Sequence, residues 1–504
     1  MSGAEPLADP RPRAAGEGTL AADTLNDTVT AAPAVSEGAS RVAIVHDWLT
    51  GMRGGEKVLE AICAIYPAAT LHTLVRVPGS VSAGIESRRV ETSAAQMLPG
   101  AGRLYRNYLP LFPTIVELID LDGYELVISS SHCAVKSVIR PGSAVHVCYC
   151  HSPMRYAWDQ FEAYFGPEQV GRLKSRILRR IMARLARWDA DTASRVDAFL
   201  ANSRYVAGRI RRYYNRGSTV VYPPVDTAFY KPADSAPHQS SPSSVLVVSA
   251  LVPYKRVGVA IEACRIAGMP LKIVGRGPEE ARLRRSAPPD CEFLGWRGDE
   301  EIRELYRSAT AVMLPGVEDF GMVPVEAQAC GRPVVALAAG GACETIIDGA
   351  TGFLVADGSP RSFADALMRV DRTRFDAATI RANALRFSPD RFASSFKAAV
   401  AEALSRRPRS LRGPGAARSS KPVGRETTAS GEHSHSHHGD ASDSSKPAVL
   451  ETAASGEPSH SHHGDASDSR EPAVLESAAN GEPSHSRHRD PSDSRKPAAR
   501  ENDQ

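Results

Sequence analysis

Residues 315–343 read PGVEDFGMVPVEAQACGRPVVALAAGGAC, and the organisation of the whole chain follows from how this stretch folds. Two glutamates, Glu318 and Glu326, stand in it with seven residues between them. The apolar run AVMLP at 311–315 has the length and composition of a buried strand, and PVVAL at 333–337 has the same character. Between them, DFGMVP reads as a short loop that turns into a helix at Val323. That order places Glu318 at the carboxyl end of a strand and Glu326 about one turn into the next helix. Open parallel sheets bind ligands at this edge, because strands end there and helix N-termini present free N–H groups to anions.

Outward from this stretch, strand and helix signals alternate over residues 41–405, which argues two Rossmann-like α/β domains with parallel sheets facing one cleft. The segment STVVYPPVD at 218–226 ends a strand on a Pro-Pro break, an extended connection suited to a boundary. The expected domains are therefore 41–222 and 223–405. Residues 1–40 have no sustained periodicity and read as disordered. The tail 406–504 repeats a 25-residue unit beginning at Glu426, Glu451 and Glu476, holds nine of the fifteen histidines and has no large aromatic residue. Such a tail cannot build a core and also reads as disordered; its histidine runs suit weak divalent-metal binding without catalysis.

With 61 basic and 58 acidic residues the net charge is +3, which is no signature of nucleic-acid binding. Eight cysteines occur without a CxxC pair, so neither a zinc ribbon nor a disulfide framework is expected. Cys148 and Cys150 share one strand face, where burial is the preferred reading over a metal pair. No signal peptide or membrane-spanning run is read, and the expectation is a cytoplasmic protein.

Several loops between strands and helices carry candidate residues. The run RVAIVHDW at 41–48 leads into LTGMRGGEKVLEAICAIY, a glycine-rich turn feeding a helix, where Gly51, Gly54 and Gly55 let backbone amides approach a ligand. ELVISSSH (125–132) and AVHVCYCH (144–151) read as core strands; Pro153 in HSPMRYAWD stops the second and leaves His151 at the ligand edge. In SSVLVVSALVPYKRVGVAIEAC a strand ends near Ser249, and Lys255 sits in the loop before a helix, within reach of a phosphate. LKIVGRGPEEARL is a strand, a turn with Gly275 and Gly277, and a helix. The last helix opens on Ser388 as N-cap with Pro389 after it.

Residues 171–188 form an amphipathic helix with Leu173, Ile177, Ile181, Leu185 and Trp188 as its apolar stripe and seven basic residues on the remainder. Two readings stand: a core-packing helix with a solvated basic face, or a surface that meets an anionic membrane at its inner face.

The E-x7-E pair, the glycine-rich first loop, the VPYKR loop and the PPVD segment resemble the family 4 retaining glycosyltransferases, which have the GT-B fold. The HSPMRYAWD stretch is similar to a subgroup that includes bacterial mannosyltransferases of surface-polysaccharide assembly. The resemblance implies roles. Glu318 would lie beside the donor sugar and diphosphate, Glu326 would hold the ribose, and His151 would sit near the sugar's C6 hydroxyl. Lys255 and the amides of Phe320, Gly321 and Met322 would take the phosphate charge. Gly54 and Gly55 would face the donor site, and Gly275 and Gly277 would line the base pocket. Many family members carry an arginine five residues before the lysine, where this chain has Ala250. The last helix of a GT-B protein crosses back to the first domain. The implied donor is a nucleotide sugar, GDP-mannose or a UDP-sugar, with no obligatory metal, and the implied acceptor a glycan or polyprenyl-linked glycan. Two alternatives remain: a GT-B nucleotide-sugar epimerase, which needs an extra acid/base pair, and a catalytically silent scaffold docked on membranes.

Overall fold

The computed structural model describes residues 41–233 and 244–406. The expectations for residues 1–40 and for the histidine-rich repeats fall outside the described residues. Two sheets organise the chain. The first contains β1 (Val42–Leu49), β2 (Thr70–Arg76), β3 (Val90–Thr92), β4 (Leu126–Ser131), β5 (Val145–Cys150), β6 (Ala198–Ala201) and β7 (Thr219–Val220), in the order β3-β2-β1-β4-β5-β6-β7. The second contains β8 (Val245–Val248), β9 (Leu271–Val274), β10 (Cys291–Gly295), β11 (Ala311–Leu314), β12 (Val334–Leu337) and β13 (Gly352–Val355), in the order β10-β9-β8-β11-β12-β13. Every pairing is parallel. Helices cover both faces of such sheets, so the central strands are buried on both sides and are mainly apolar, with buried polar residues at His46 and Asp47 of β1, Ser129 and Ser130 of β4 and His146 of β5.

Each sheet has one place where the chain reverses its direction of winding: between β1 and β4 in the first, and between β8 and β11 in the second. Loops leaving two such neighbours diverge and open a crevice at their carboxyl ends. Glu318 and Lys255 follow β11 and β8, whereas Asp47 stands near the carboxyl end of β1 and His132 directly follows β4. The topology therefore selects these loops before any side chain is considered.

The last helix, Pro389–Ser405, starts as expected: the Ser388 hydroxyl accepts from the Arg391 N–H (3.4 Å), with Pro389 at the first position. Its Phe392, Phe396 and Val400 are buried with Ile44, Leu59 and Tyr149, in the core of the first domain. The chain thus crosses between domains twice. The outgoing and returning segments run side by side, Val225 N–H donating to the Phe387 carbonyl (2.9 Å).

One helix departs from its sequence pattern. Arg172–Asp191 buries Ser175, Met182, Leu185, Ala186 and Asp189, while Leu173 and Ile177 of the expected stripe stay 73% and 50% exposed. The cause is Asp189. It is drawn inward by the Lys136 ammonium (3.0 Å), the Trp158 indole (2.8 Å) and the Tyr214 hydroxyl (2.9 Å), which rotates the buried face away from Leu173 and Ile177. No helix among the described residues is long and apolar enough to cross a membrane.

Candidate active site

In the second domain, β8 runs into a one-turn 3-10 helix, Pro253–Lys255, and β11 runs into Pro315 and Gly316. A Cβ on Gly316 would stand 2.6 Å from the Tyr254 carbonyl oxygen and 2.9 Å from the Lys255 Cα. Only glycine lets the two loops touch. Their contact brings the Lys255 ammonium onto the Glu318 carboxylate as a direct ion pair, with side chains 16% and 14% exposed. The pair stands where the sequence placed its candidate charge and its candidate acid, both beside the cleft. Arg256 adopts left-handed backbone (φ 55°) and turns its guanidinium to the Gly358 carbonyl (2.8 Å), away from that pair.

The Glu318 loop is fastened from behind, since Gly341 N–H donates to the Glu318 carbonyl (2.8 Å). The Phe320 ring is buried between Tyr222 and Phe387, so only its main chain is left for a ligand. The helix begins at Met322, one residue earlier than expected, behind Gly321 at φ 85°. Glu326 is nearly buried; it accepts from the Tyr306 hydroxyl (2.9 Å) and lies 3.7 Å from the Lys57 ammonium. Burial raises the pKa of this carboxyl, with Lys57 and Tyr306 pulling against it. Gly275 and Gly277 lie against the Ser249 and Leu251 carbonyl oxygens, where a Cβ would be 1.9 and 2.4 Å away. Their visible work is to lock the loops after β8 and β9 together.

The first domain supplies the opposite wall. Gly54 faces Met322 across the cleft, with the Met322 Sδ 3.0 Å from where a Cβ would stand. Gly55 lies over the rings of His151 and His46 (3.9 Å). The Ser130 hydroxyl links His151 Nε2 (2.9 Å) to His46 Nδ1 (3.1 Å), and Glu56 lies 3.8 Å from His46 Nε2. Burial, then the charges of His132 and His46, push the His151 pKa well down, so its ring is neutral near pH 7. A neutral imidazole can both donate and accept, as a sugar hydroxyl requires.

Sequence reasoning missed Asp47 and His132. Asp47 is fully buried in β1 and accepts the N–H groups of His132 (2.7 Å), Cys133 (2.9 Å), Ala134 (2.7 Å) and Val135 (3.1 Å). His132 Nδ1 stands 3.2 Å from the same carboxylate and its ring is 32% exposed beside His151. The available signal was the His-Asp pair inside an otherwise apolar strand, since charges are buried there only with partners. Contacts between the domains were missed as well. Lys57 reaches Asp299 (3.3 Å) and Glu326, Arg155 donates through Nε to Asp319 (2.8 Å), and the Ser203 hydroxyl donates to the Asp319 carbonyl (2.6 Å). Glu344 accepts the Arg204 and Tyr205 N–H groups (2.8 and 3.0 Å). Among the described residues no group of three His, Cys, Asp or Glu side chains is arranged to hold a metal ion.

Two family models divide the chain between them: Glycosyltransferase Family 4 matches residues 53–229, and Glycosyl transferases group 1 matches residues 233–385. The chain belongs to the family 4 glycosyltransferases. D-inositol 3-phosphate glycosyltransferase of Acidothermus cellulolyticus is 30% identical to this family 4 chain over 251 residues, 44% of this chain and 56% of the relative. The protein of the same name from Actinosynnema mirum is 30% identical over 248 residues, 43% of this chain and 60% of the relative. The chain thus spans little more than half the length of these curated relatives. Among solved structures, Anabaena HepE in complex with UDP and glucose superposes with a TM-score of 0.53 at 22% identity, over 72% of this chain and 99% of that one. Sucrose-phosphate synthase of Thermosynechococcus elongatus gives 0.51 at 18% identity, over the same shares. At these identities the likeness carries the fold, and the fold is GT-B.

Proposed function

We propose that this protein is a retaining glycosyltransferase that moves a hexose from a nucleotide-sugar donor to a hydroxyl of a glycan or lipid-linked glycan. The observation that carries the reading is the Lys255–Glu318 pair at the winding reversal of the second sheet, on the loop whose Asp319 meets Arg155 of the first domain. Breaking the anomeric C–O bond leaves a nucleoside diphosphate whose bridging oxygen gains negative charge. In this reading Lys255 and the main-chain amides of Phe320, Gly321 and Met322 stabilise that charge, which the place of Lys255 beside Glu318 and the helix start at Met322 support. Glu318 then orients the sugar, Glu326 the ribose, and neutral His151 the far hydroxyl of the sugar. Gly54 and Gly55 keep the first-domain wall free of side chains, while Gly275 and Gly277 shape the loops around the base. Retention follows a front-face departure: the acceptor oxygen bonds to C1 on the face the phosphate leaves, and the acceptor proton passes to the departing phosphate oxygen.

The test is a donor screen by thermal shift across GDP-, UDP- and ADP-sugars, because a donor bound only by the folded state raises its melting temperature. Anabaena HepE was crystallised with UDP and UDP-glucose, which supports a uridine donor; the HSPMRYAWD stretch supports GDP-mannose. No shift with any of the three classes would remove the reading. With the bound donor in hand, nucleotide release separates a transferase from an epimerase, which returns an isomeric nucleotide sugar and frees no nucleotide.

Exposed Leu173 and Ile177 on a helix whose Arg172, Lys174, Arg176, Arg180 and Arg184 are also exposed favour one more partner, an anionic membrane surface. Sedimentation with phosphatidylglycerol vesicles, lost in Leu173→Ser/Ile177→Ser and in high salt, is the expected outcome. Equal sedimentation of wild type and variant would refute it.

A further inference from the structure

Glu318 and Asp319 are neighbours in sequence, and each holds a cation from a different domain. Glu318 holds Lys255 of its own domain, and Asp319 holds Arg155, which follows β5 in the first domain. Both cations lie against one aromatic ring: the Arg155 Cζ is 5.7 Å and the Lys255 Nζ 5.4 Å from the centroid of Tyr254. Arg155 is held in place with its side chain 21% exposed, its Nε and Nη2 both on Asp319 Oδ2. Among the described residues Nη1 has no hydrogen-bond partner and is the open corner of the fork. In the second domain position 250 is alanine and the Arg256 guanidinium is tied to the Gly358 carbonyl, so neither position supplies a second cation beside Lys255. A diphosphate carries more than one negative charge, and a single ammonium does not match it; a planar guanidinium does, through paired N–H donors.

We infer that Arg155 is the second cation on the donor diphosphate, delivered from the first domain onto the site the second domain builds. The inference rests on the nucleotide-sugar reading above and adds a consequence to it. Donor phosphate and domain closure are one event, because the guanidinium that touches the phosphate also touches Asp319 across the cleft. Arg155 is the binding residue, and Asp319 is the counter-ion that shares its charge with the phosphate.

Isothermal titration of the full-length protein with UDP, GDP and ADP finds the nucleoside diphosphate that binds, and its monophosphate serves as control. Arg155→Gln is expected to weaken the diphosphate by about tenfold or more and the monophosphate by less than about threefold, with Arg155→Lys in between. Asp319→Asn releases the guanidinium and is expected to bind the diphosphate at least as tightly as wild type. Wild-type diphosphate affinity in Arg155→Gln, alongside a loss in Lys255→Ala, overturns the inference and leaves the transferase reading intact. Equal losses in Arg155→Gln and Asp319→Asn, shared by the monophosphate, reduce the pair to a latch between domains and overturn it too. Failure of wild type to bind any of the three diphosphates overturns both readings.

Discussion

Removing the Lys255 charge should cut turnover by about two orders of magnitude, and the size follows from geometry. The ammonium that now rests on Glu318 has to contact the leaving oxygen at about 3 Å, where two unit charges at an effective dielectric of about 20 attract by roughly 5 kcal/mol. The oxygen gains about half a charge on the way to the transition state, so the differential term is about 3 kcal/mol, or about 100-fold in rate. Lys255→Ala also leaves Glu318 unpaired and facing an anionic donor, so KM should rise as well as kcat fall. Adding Glu318→Ala should recover part of KM but none of kcat, because the repulsion goes and the stabilising charge is still missing. The assay is steady-state release of nucleoside diphosphate with the donor found by thermal shift. Lys255 ends a one-turn helix at the edge of the cleft, so the variant should melt close to wild type. Unchanged kcat in Lys255→Ala, with any change confined to KM, would refute the reasoning.

Other expectations concern stability. His146 sits fully buried in β5, where its Nε2 meets the Ser129 hydroxyl (2.8 Å) and its Nδ1 the Arg195 carbonyl (3.3 Å). Burial pushes its pKa down to about 4. The unfolded chain takes up that proton near pH 6.5, so stability is full above 6.5 and falls by up to about 3 kcal/mol as pH drops towards 4. Urea melts at pH 7.0, 5.5 and 4.5 should show the decline, with a shallower one in His146→Asn; identical slopes would remove His146 as a cause. Lys136→Ala strands the fully buried Asp189 carboxylate and should cost about 3–5 kcal/mol in the same melts. Lys136→Met with Asp189→Leu should lose far less, and equal losses would contradict the ion-pair account. Gly316→Ala forces the Tyr254 and Glu318 loops apart and should cost about 1–3 kcal/mol while weakening nucleotide binding in titration calorimetry. Unaltered binding would mean that the contact does not set the site.

Much of this molecule is written locally. The mainly apolar runs that became β4, β5, β8, β11 and β12 are legible because a parallel strand is buried on both faces, so polar residues within it are few, as with Ser129 and Ser130 in β4 and His146 in β5. Lys255, Glu318 and His151 are legible for a related reason: each stands where such a run stops and a helix signal begins, and that edge is the binding edge of any parallel sheet. The Ser388-Pro389 start of the last helix is local too, being a matter of one hydroxyl and one fixed φ.

Tertiary structure decided what depends on partners distant in sequence. Whether Asp47 could be buried was a question about four amide groups of the β4 turn, which only the β1–β4 pairing brings to it. Arg155 and Asp319 lie in different domains, and no periodicity in either stretch reports that they meet. The exposed face of the basic helix was settled by Lys136, Trp158 and Tyr214 pulling Asp189 inward against the apparent stripe. Hydrophobic period and turn chemistry act over a few residues and are carried by the chain itself. Compensation of buried charge acts between side chains that meet only once both sheets have formed.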